Sequence, residues 1–404
     1  MDKNKQILFY FTAHYPFGNG EQFIENEILE ISKHYYEIYL FPYDNLDGTP
    51  RKKLPDNVKI ITGIKKESDN GKKLLLTNSF LTFGIIALDF FQKNGINALK
   101  TINLRLKEIS NGIFISQQIN KIKNEFNHHK IHFYSTWMNE WALPLSILFH
   151  QKTISNFSFK MRGYDLFDER RPYNYMPFRN FIFKNSSCKI TMSEEGKKYL
   201  NAKGYKNIFA NYPGIDFNRI IAIKSEPHFL LVSCSNMIPL KRVDLIAASL
   251  KFVSVDLKWI HFGDGPEMGK VTTLVQQLPN HITVELKGSV PNTEVISFYE
   301  KNYVDAFIHL SLSEGFGFAV AEAFSFGIPA ILFPGGAIQE LIDENYCITI
   351  NSEDNVKTIG EKINSFLLKN QSNSKLREII IEQNKEKFDI KKCVQNLANL
   401  IAQK

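Results

Sequence analysis

The sequence predicts an α/β protein built as two doubly wound halves, each a parallel sheet with helices on its faces. Strand-like and helix-like segments alternate in two separate series, glycine turns follow several of the strand-like runs, and a polar stretch, "IAIKSEP" at 221–227, falls between the series. A chain of 404 residues that is 44% hydrophobic is long enough to bury two such cores. The expected boundaries are 1–216 for the first half, 217–385 for the second, and 386–404 for a terminal helix that returns to the first half.

In the first half, "QILFYFTA" reads as a strand and "HYPFGNGEQ" as a glycine-bearing turn. "FIENEILEISKHY" reads as a helix with apolar positions at Ile24, Ile28, Leu29 and Ile31, and "EIYLFPY" as the next strand. This is the opening βαβ unit of a parallel sheet. "KIHFYST", "TISNFSFKM" and "CKITMS" follow as strands, the last leading into a helix around "EEGKKYLNAKGY". "NIFANYPGIDFNR" then breaks the rhythm at Pro213 and Gly214. The second series opens with the strand "HFLLVSCS" and the helix "LKRVDLIAASLKFV". "LKWIHFGDGPE" and "ITVELKGSVP" are strands ending in turns, "EVISFYEKN" a helix, "DAFIHLSL" a strand, "FAVAEAFSF" a helix and "PAILFPG" a strand. A last amphipathic helical stretch runs from "SKLREIIIEQNKEKF" to "KCVQNLANLIAQK". In such a fold a ligand sits at the carboxyl ends of the strands, here in a cleft between the halves.

Charge is uneven. Residues 1–215 carry 30 Lys+Arg against 20 Asp+Glu, and the remainder 19 against 22. The excess lies mostly in 51–130, in "RKKLPDNVK", "IKKESDNGKK" and "LKTINLRLKEIS", a pattern that suits an anionic membrane surface and equally a solvated lysine-rich face. No nucleic-acid partner is expected. Cys188, Cys234, Cys347 and Cys393 lie far apart with no CxxC pair, so buried thiols are expected rather than a zinc site or a disulfide framework. No apolar run reaches the roughly 18 residues of a membrane-spanning helix, and "MDKNKQ" before the short "ILFYF" does not have the pattern of a signal peptide. The expected location is the cytoplasm, free or peripheral at the inner face of the membrane.

The stretch "SLSEGFGFAVAEAFSFGIPA" at 311–330 holds the clearest candidate site. Glu314 falls in a loop after a strand and Glu322 about one turn into the following helix, which Gly327 and Pro329 end. Gly315 and Gly317, around Phe316, allow close approach to the exposed N–H groups of a helix start, which attract phosphate. Two carboxylates repel phosphate, so their use is to accept hydrogen bonds from hydroxyl groups on either side of a diphosphate. Capping of the helix dipole is the alternative for both. Lys241 and Arg242, in "NMIPLKRVDLI", are expected in the first turn of a helix, where positive charge opposes the macrodipole and an anion facing them would explain the cost.

Glu314-x7-Glu322, "EGFGFAVAEAFSFGIPAI", "FGDGPE", "LKGSVPNTEVISFYEK", "PLKRVDLI" and "NYPGID" together resemble the family 4 retaining glycosyltransferases of GT-B fold, over about 211–350. In the first half the resemblance rests on the first glycine turn and "KMRGYDLF". The resemblance implies a nucleotide diphosphate sugar as donor, with Glu322 on the ribose hydroxyls, Glu314 on the donor sugar and Lys241 on the diphosphate. It also implies Gly18 to Gly20 facing the diphosphate and sugar, and Val290 and Pro291 lining the base pocket. Gly335 and Gly336 resemble the family's GG-x-x-E segment, ending one residue late at Glu340. Two departures are visible. Asn236 stands where the family has an arginine five residues before the lysine, a role Arg242 can take over. Arg162 stands before Gly163, with Asp165 retained, where the family has His-Gly-x-Asp. Arginine cannot accept a proton, but it can stabilise a leaving phosphate or orient the acceptor; His14 or His132 is the alternative source of the missing histidine.

The expected enzyme is therefore a metal-independent, retaining hexosyltransferase without a cofactor. It moves a sugar, UDP-linked by preference, to a glycan or lipid-linked acceptor of cell-surface polysaccharide synthesis. Trp137, in the aromatic "YSTWMNEW", is expected on the acceptor side with Asp165, Gly163 and His14. There is no DxD motif where a metal–diphosphate site needs one. A nucleotide-sugar 2-epimerase of similar fold and a non-catalytic nucleotide-sugar-binding protein are the competing expectations. "GDGPEMG" has GxGxxxG spacing and reads as a turn rather than a dinucleotide fingerprint.

Overall fold

The computed structural model describes residues 6–18, 21–44, 49–50, 52–64, 71–91, 100–138, 140–371 and 373–403. The chain divides into two compact units. The first is Met1–Met192, Gly196–Tyr212 and Lys391–Lys404; the second is Ser193–Glu195 and Pro213–Ile390. The main divisions thus fall at 212/213 and 390/391, where the sequence reading placed them at 216/217 and 385/386.

The first unit holds a seven-stranded parallel sheet: β1 Gln6–Thr12, β2 Glu37–Pro42, β3 Val58–Ile60, β4 Lys130–Ser135, β5 Ser158–Met161, β6 Cys188–Thr191 and β7 Ile208–Ala210. Their order is β3-β2-β1-β4-β5-β6-β7, so the winding reverses between β1 and β4. There Leu8 stands opposite Ile38 on one side and His132 on the other. Strand alternation explains the apolar runs. Ile7, Phe9 and Phe11 enter a core with Phe41, Phe133 and Phe159. Tyr10 points to the other face, where its hydroxyl donates to Glu27 of the helix Ile24–Ile31 at 2.6 Å. Lys160 Nζ meets the same buried carboxylate at 3.5 Å.

Strand β7 lies in the stretch expected to break the rhythm. Three residues carry little local signal, and pairing with β6 supplies the partner that makes them a strand. The terminal stretch is two helices rather than one, Ser374–Phe388 and Ile390–Ala402. The break at Asp389 follows from a backbone exchange: Ile215 N donates to Phe388 O at 2.8 Å, and Ile390 N to Ile215 O at 3.0 Å. The second of these helices belongs to the first unit, where Asn211 donates to Cys393 O at 3.0 Å and His132 Nδ1 lies 3.3 Å from Ile401 O. His132 is buried beneath that helix.

The second unit repeats the plan with six parallel strands: β8 Phe229–Cys234, β9 Leu257–Phe262, β10 Ile282–Leu286, β11 Ala306–His309, β12 Ala330–Leu332 and β13 Cys347–Thr349. Their order is β10-β9-β8-β11-β12-β13, reversing between β8 and β11. One core joins Leu231, Trp259, Ile308 and Ile331 of the sheet to Ile246, Leu250, Ile359 and Ile363 of its covering helices. The loops after β8 and β11 therefore lie side by side. Leu312 N donates to Leu240 O at 2.9 Å, tying one loop to the other. The "GDGPE" turn is structural: Met237 N donates to Asp264 O at 2.8 Å, and a Cβ at Gly265 would sit 2.5 Å from Met237 O.

Candidate active site

In the second unit, β11 ends at His309 and the chain loops through Glu314 into the helix Phe318–Ser325. Gly317 caps that helix in the left-handed region at φ 98°. Two contacts hold the Glu314 backbone: its N–H reaches Gly335 O at 3.3 Å, and its carbonyl accepts from Ala337 N at 3.0 Å. Gly336 sits opposite at φ 61°, and a Cβ there would come within 2.5 Å of Glu314 O. A Gly336→Ala chain is accordingly expected to lose about 2 kcal/mol of stability in denaturant titration, because strain and clash both fall on the Glu314 loop. Unchanged stability would mean that the loop does not depend on this close approach.

Glu314 Oε1 meets two donors, Lys241 Nζ and, at 2.9 Å, His309 Nε2. Burial acts to raise the pKa of this carboxyl, but the hydrogen bond from His309 and the charge of Lys241 outweigh it and hold the group well below the usual carboxylate range. Lys241 is not in the first turn of a helix, as the sequence suggested. It closes a short 3-10 turn, Pro239–Lys241, and Arg242 follows in the left-handed region at φ 51° as the N-cap of Val243–Leu250. This tight double bend replaces a single helix because Leu240 must meet the loop after β11. Arg242 turns inward: its Nε donates to Leu310 O at 2.6 Å and its guanidinium lies 4.0 Å from the Phe333 ring centre.

Glu322, one turn into its helix, accepts from Asn292 Nδ2 at 3.1 and 3.2 Å. Desolvation pushes its pKa up to about 7 against the lowering effects of the Asn292 amide and the Arg219 charge. Asn292 opens the helix Asn292–Lys301, and Pro291 is its N-cap, so the turn at Val290 and Pro291 lies next to Glu322 through this amide. Cys234, at the end of β8, feels both Glu322 and Lys241; burial and Glu322 push its thiol up to about 12, partly offset by Lys241. Within one unit, then, the fold brings Lys241, Glu314 and Glu322 to the carboxyl ends of β8 and β11. Gly315 is buried beside them, and Phe316 packs inward with its ring centre 5.4 Å from that of Phe388.

The first unit gathers the other candidates after β1, β4 and β5. Glu21, which the sequence reading passed over, organises them. Its carboxylate accepts the N–H groups of Ala13 at 3.1 Å, His14 at 2.6 Å and Tyr15 at 2.7 Å, and the Trp137 indole at 2.6 Å. His14 Nδ1 lies 2.8 Å from Asp44 Oδ2. Gly18 adopts φ 63° on the same loop, whereas Gly20 lies outside the described residues. Asp165 accepts from Arg162 N at 2.5 Å and Met138 N at 2.6 Å. Burial raises its pKa to about 6 despite those bonds. Arg162 is only 3% exposed: its guanidinium lies 3.7 Å from the Phe23 ring centre and donates to Thr136 O at 3.1 Å. Gly163 starts a short helix, where a Cβ would collide with Arg170 at 2.1 Å.

Besides Glu21, the sequence reading missed His309, Asn292 and Arg219. A histidine closing an apolar strand two residues before a loop rich in Ser, Glu and Gly was the available signal for His309; Asn292 and Arg219 gave none, because their partner lies 30 and 103 residues away on another element.

Two parallel-sheet units of this topology define the GT-B class. The known structure of Anabaena Alr3699/HepE in complex with UDP and glucose aligns with a TM-score of 0.66 over 98% of this chain and 99% of that one, at 16% identity. Residues 215–387, in the second unit, match the family described as glycosyl transferases group 1. The O-antigen biosynthesis glycosyltransferase WclY of Escherichia coli is 29% identical over 219 residues, 49% of this chain and 57% of that protein. The N-acetyl-alpha-D-glucosaminyl L-malate synthase of Bacillus anthracis is 34% identical over 120 residues, 29% of this chain and 30% of that protein. The matches thus span less than two thirds of these curated relatives.

Proposed function

We propose that the chain is a retaining glycosyltransferase that moves a hexose-type sugar from a UDP-sugar to a glycan or lipid-linked acceptor in cell-surface polysaccharide synthesis. The observation that carries the reading is the pairing, inside the family-matching segment, of an ionised Glu314 held by Lys241 and His309 with a buried Glu322 held by Asn292. The names of the relatives, an O-antigen transferase and proteins handling UDP or N-acetylglucosamine, support the donor and acceptor class.

In this reading Glu322 takes the ribose hydroxyls, the Val290–Pro291 turn flanks the base, and Glu314 takes a hydroxyl of the donor sugar. Lys241 has three donors, so it can hold Glu314 and still meet the diphosphate as negative charge develops on it. The N–H groups at Gly317 and Phe318 add a partial positive charge. The C1–O bond to the diphosphate breaks, the acceptor oxygen bonds to C1 on the face the diphosphate leaves, and the acceptor's proton passes to the departing diphosphate. The first unit supplies the acceptor, with Arg162 acting through Trp137 and Asp165 rather than by contact. No metal or cofactor enters the reaction, so chelation with EDTA should leave turnover intact. The protein works as a peripheral enzyme at an anionic membrane surface.

The test is calorimetry and product release with UDP-, GDP- and ADP-sugars on the full chain. One UDP-sugar should bind and be slowly hydrolysed to UDP and free sugar without acceptor. Failure of every nucleotide sugar to bind would end the reading.

A further inference from the structure

We propose that the helices Gly71–Thr77 and Ser79–Phe90 are the element by which the first unit docks on an anionic lipid bilayer. This gives the membrane reading above a physical site. Their outer side exposes large apolar side chains: Leu76 is 76% exposed, Phe80 92%, Phe83 73% and Phe91, just past the second helix, 85%. Phe80 and Phe83 are three residues apart on one face, with Phe90 two turns further along it. A soluble surface carries such residues singly; a cluster marks an interaction site.

The inner side of the second helix is already fixed. Ile85 is buried in the core of the first unit. Asp89 accepts from the Tyr175 hydroxyl at 2.5 Å and from Phe178 N at 2.7 Å, while Asn180 donates to Leu88 O at 3.0 Å. Folding therefore uses one face and leaves the phenylalanine face spare. The two helices meet at 91°, and among the described residues no single helix is long and apolar enough to cross a membrane, so the pair fits a surface rather than a span.

Charge selects the occupant. Residues 71–107 contain five Lys and one acid, Asp89, which is buried, while Arg105 is buried and paired with Glu108 at 2.6 Å. Lys72, Lys73, Lys100 and Lys107 are exposed. A second copy of the chain would set these like charges against each other, and a neutral lipid would leave them unanswered. Phosphate headgroups with acyl chains beneath them answer both features.

The experiment is co-sedimentation of the full chain with phosphatidylcholine vesicles, with and without phosphatidylglycerol, for wild type, Phe80→Ser with Phe83→Ser, and Lys72→Glu with Lys73→Glu. All four positions are exposed, so the variants should melt like wild type. Wild type should bind the anionic vesicles about tenfold or more tightly than the neutral ones, and each double variant should lose about tenfold or more of that binding. UDP-sugar affinity measured in parallel should not change in either variant. Equal binding to neutral vesicles, or insensitivity to both variants, would overturn the proposal. So would a dimer in analytical ultracentrifugation that Phe80→Ser with Phe83→Ser dissolves without any vesicle binding. Loss of donor binding in wild type sinks the transferase reading alone, since the vesicle result does not depend on it.

Discussion

Glu322→Gln is expected to weaken UDP-sugar binding by about 30- to 100-fold, which is the loss of two hydrogen bonds to a charged acceptor, about 2–3 kcal/mol in all. The same substitution should stabilise the protein at alkaline pH. Burial raises the Glu322 carboxyl to about 7 from an ordinary value near 4.5, so the folded chain holds a proton there that the unfolded chain has released. This contribution to stability is complete below about pH 4.5 and lost as pH rises through 7. Above that, wild type carries a buried charge that glutamine lacks, and the variant should be about 3 kcal/mol more stable at pH 8 and indistinguishable at pH 4. Donor affinity of wild type should correspondingly rise between pH 6 and 8 as the carboxylate forms. A variant that binds donor normally, or that loses stability at pH 8, would leave Glu322 as a structural group only.

If Lys241 meets the diphosphate as proposed, Lys241→Met should lower kcat about 10²- to 10³-fold, because it removes that positive charge while keeping the side-chain stem. It also leaves the nearly buried Glu314 with His309 alone. Glu314 is held well below the carboxylate range, so its stabilising effect is present above the ordinary carboxyl pKa and fades only as pH falls below it. Removing Lys241 should therefore cost about 1–3 kcal/mol at neutral pH. Combining Lys241→Met with Glu314→Gln separates the two effects: stability should recover, since no unpaired charge remains, while turnover should stay low. Recovery of turnover along with stability would show that Lys241 serves folding and not the leaving diphosphate.

Much of this was legible in the chain. Two series of alternating strands and helices, and the Glu314-x7-Glu322 spacing at a strand–loop–helix junction, are local patterns, set by apolar runs and glycines within a dozen residues of one another. Their positions in the fold followed, because a strand before the reversal in a parallel sheet always delivers its loop to the same edge. The helices 71–90 escaped this reading, since their apolar residues look like core until the structure shows which face is already occupied.

By itself the sequence determined the class of fold and singled out Glu314, Glu322 and Lys241 as candidates. The tertiary structure alone decided their electrostatics: that Glu314 is an anion shared by Lys241 and His309, that Glu322 is desolvated beside Asn292, and that Glu21 gathers the first loop with Trp137. The reason is range. Hydrophobic periodicity is a property of neighbours in the chain, whereas a pKa or a carboxylate's partners depend on groups within a few ångströms in space, and here those groups come from 5 to 116 residues away.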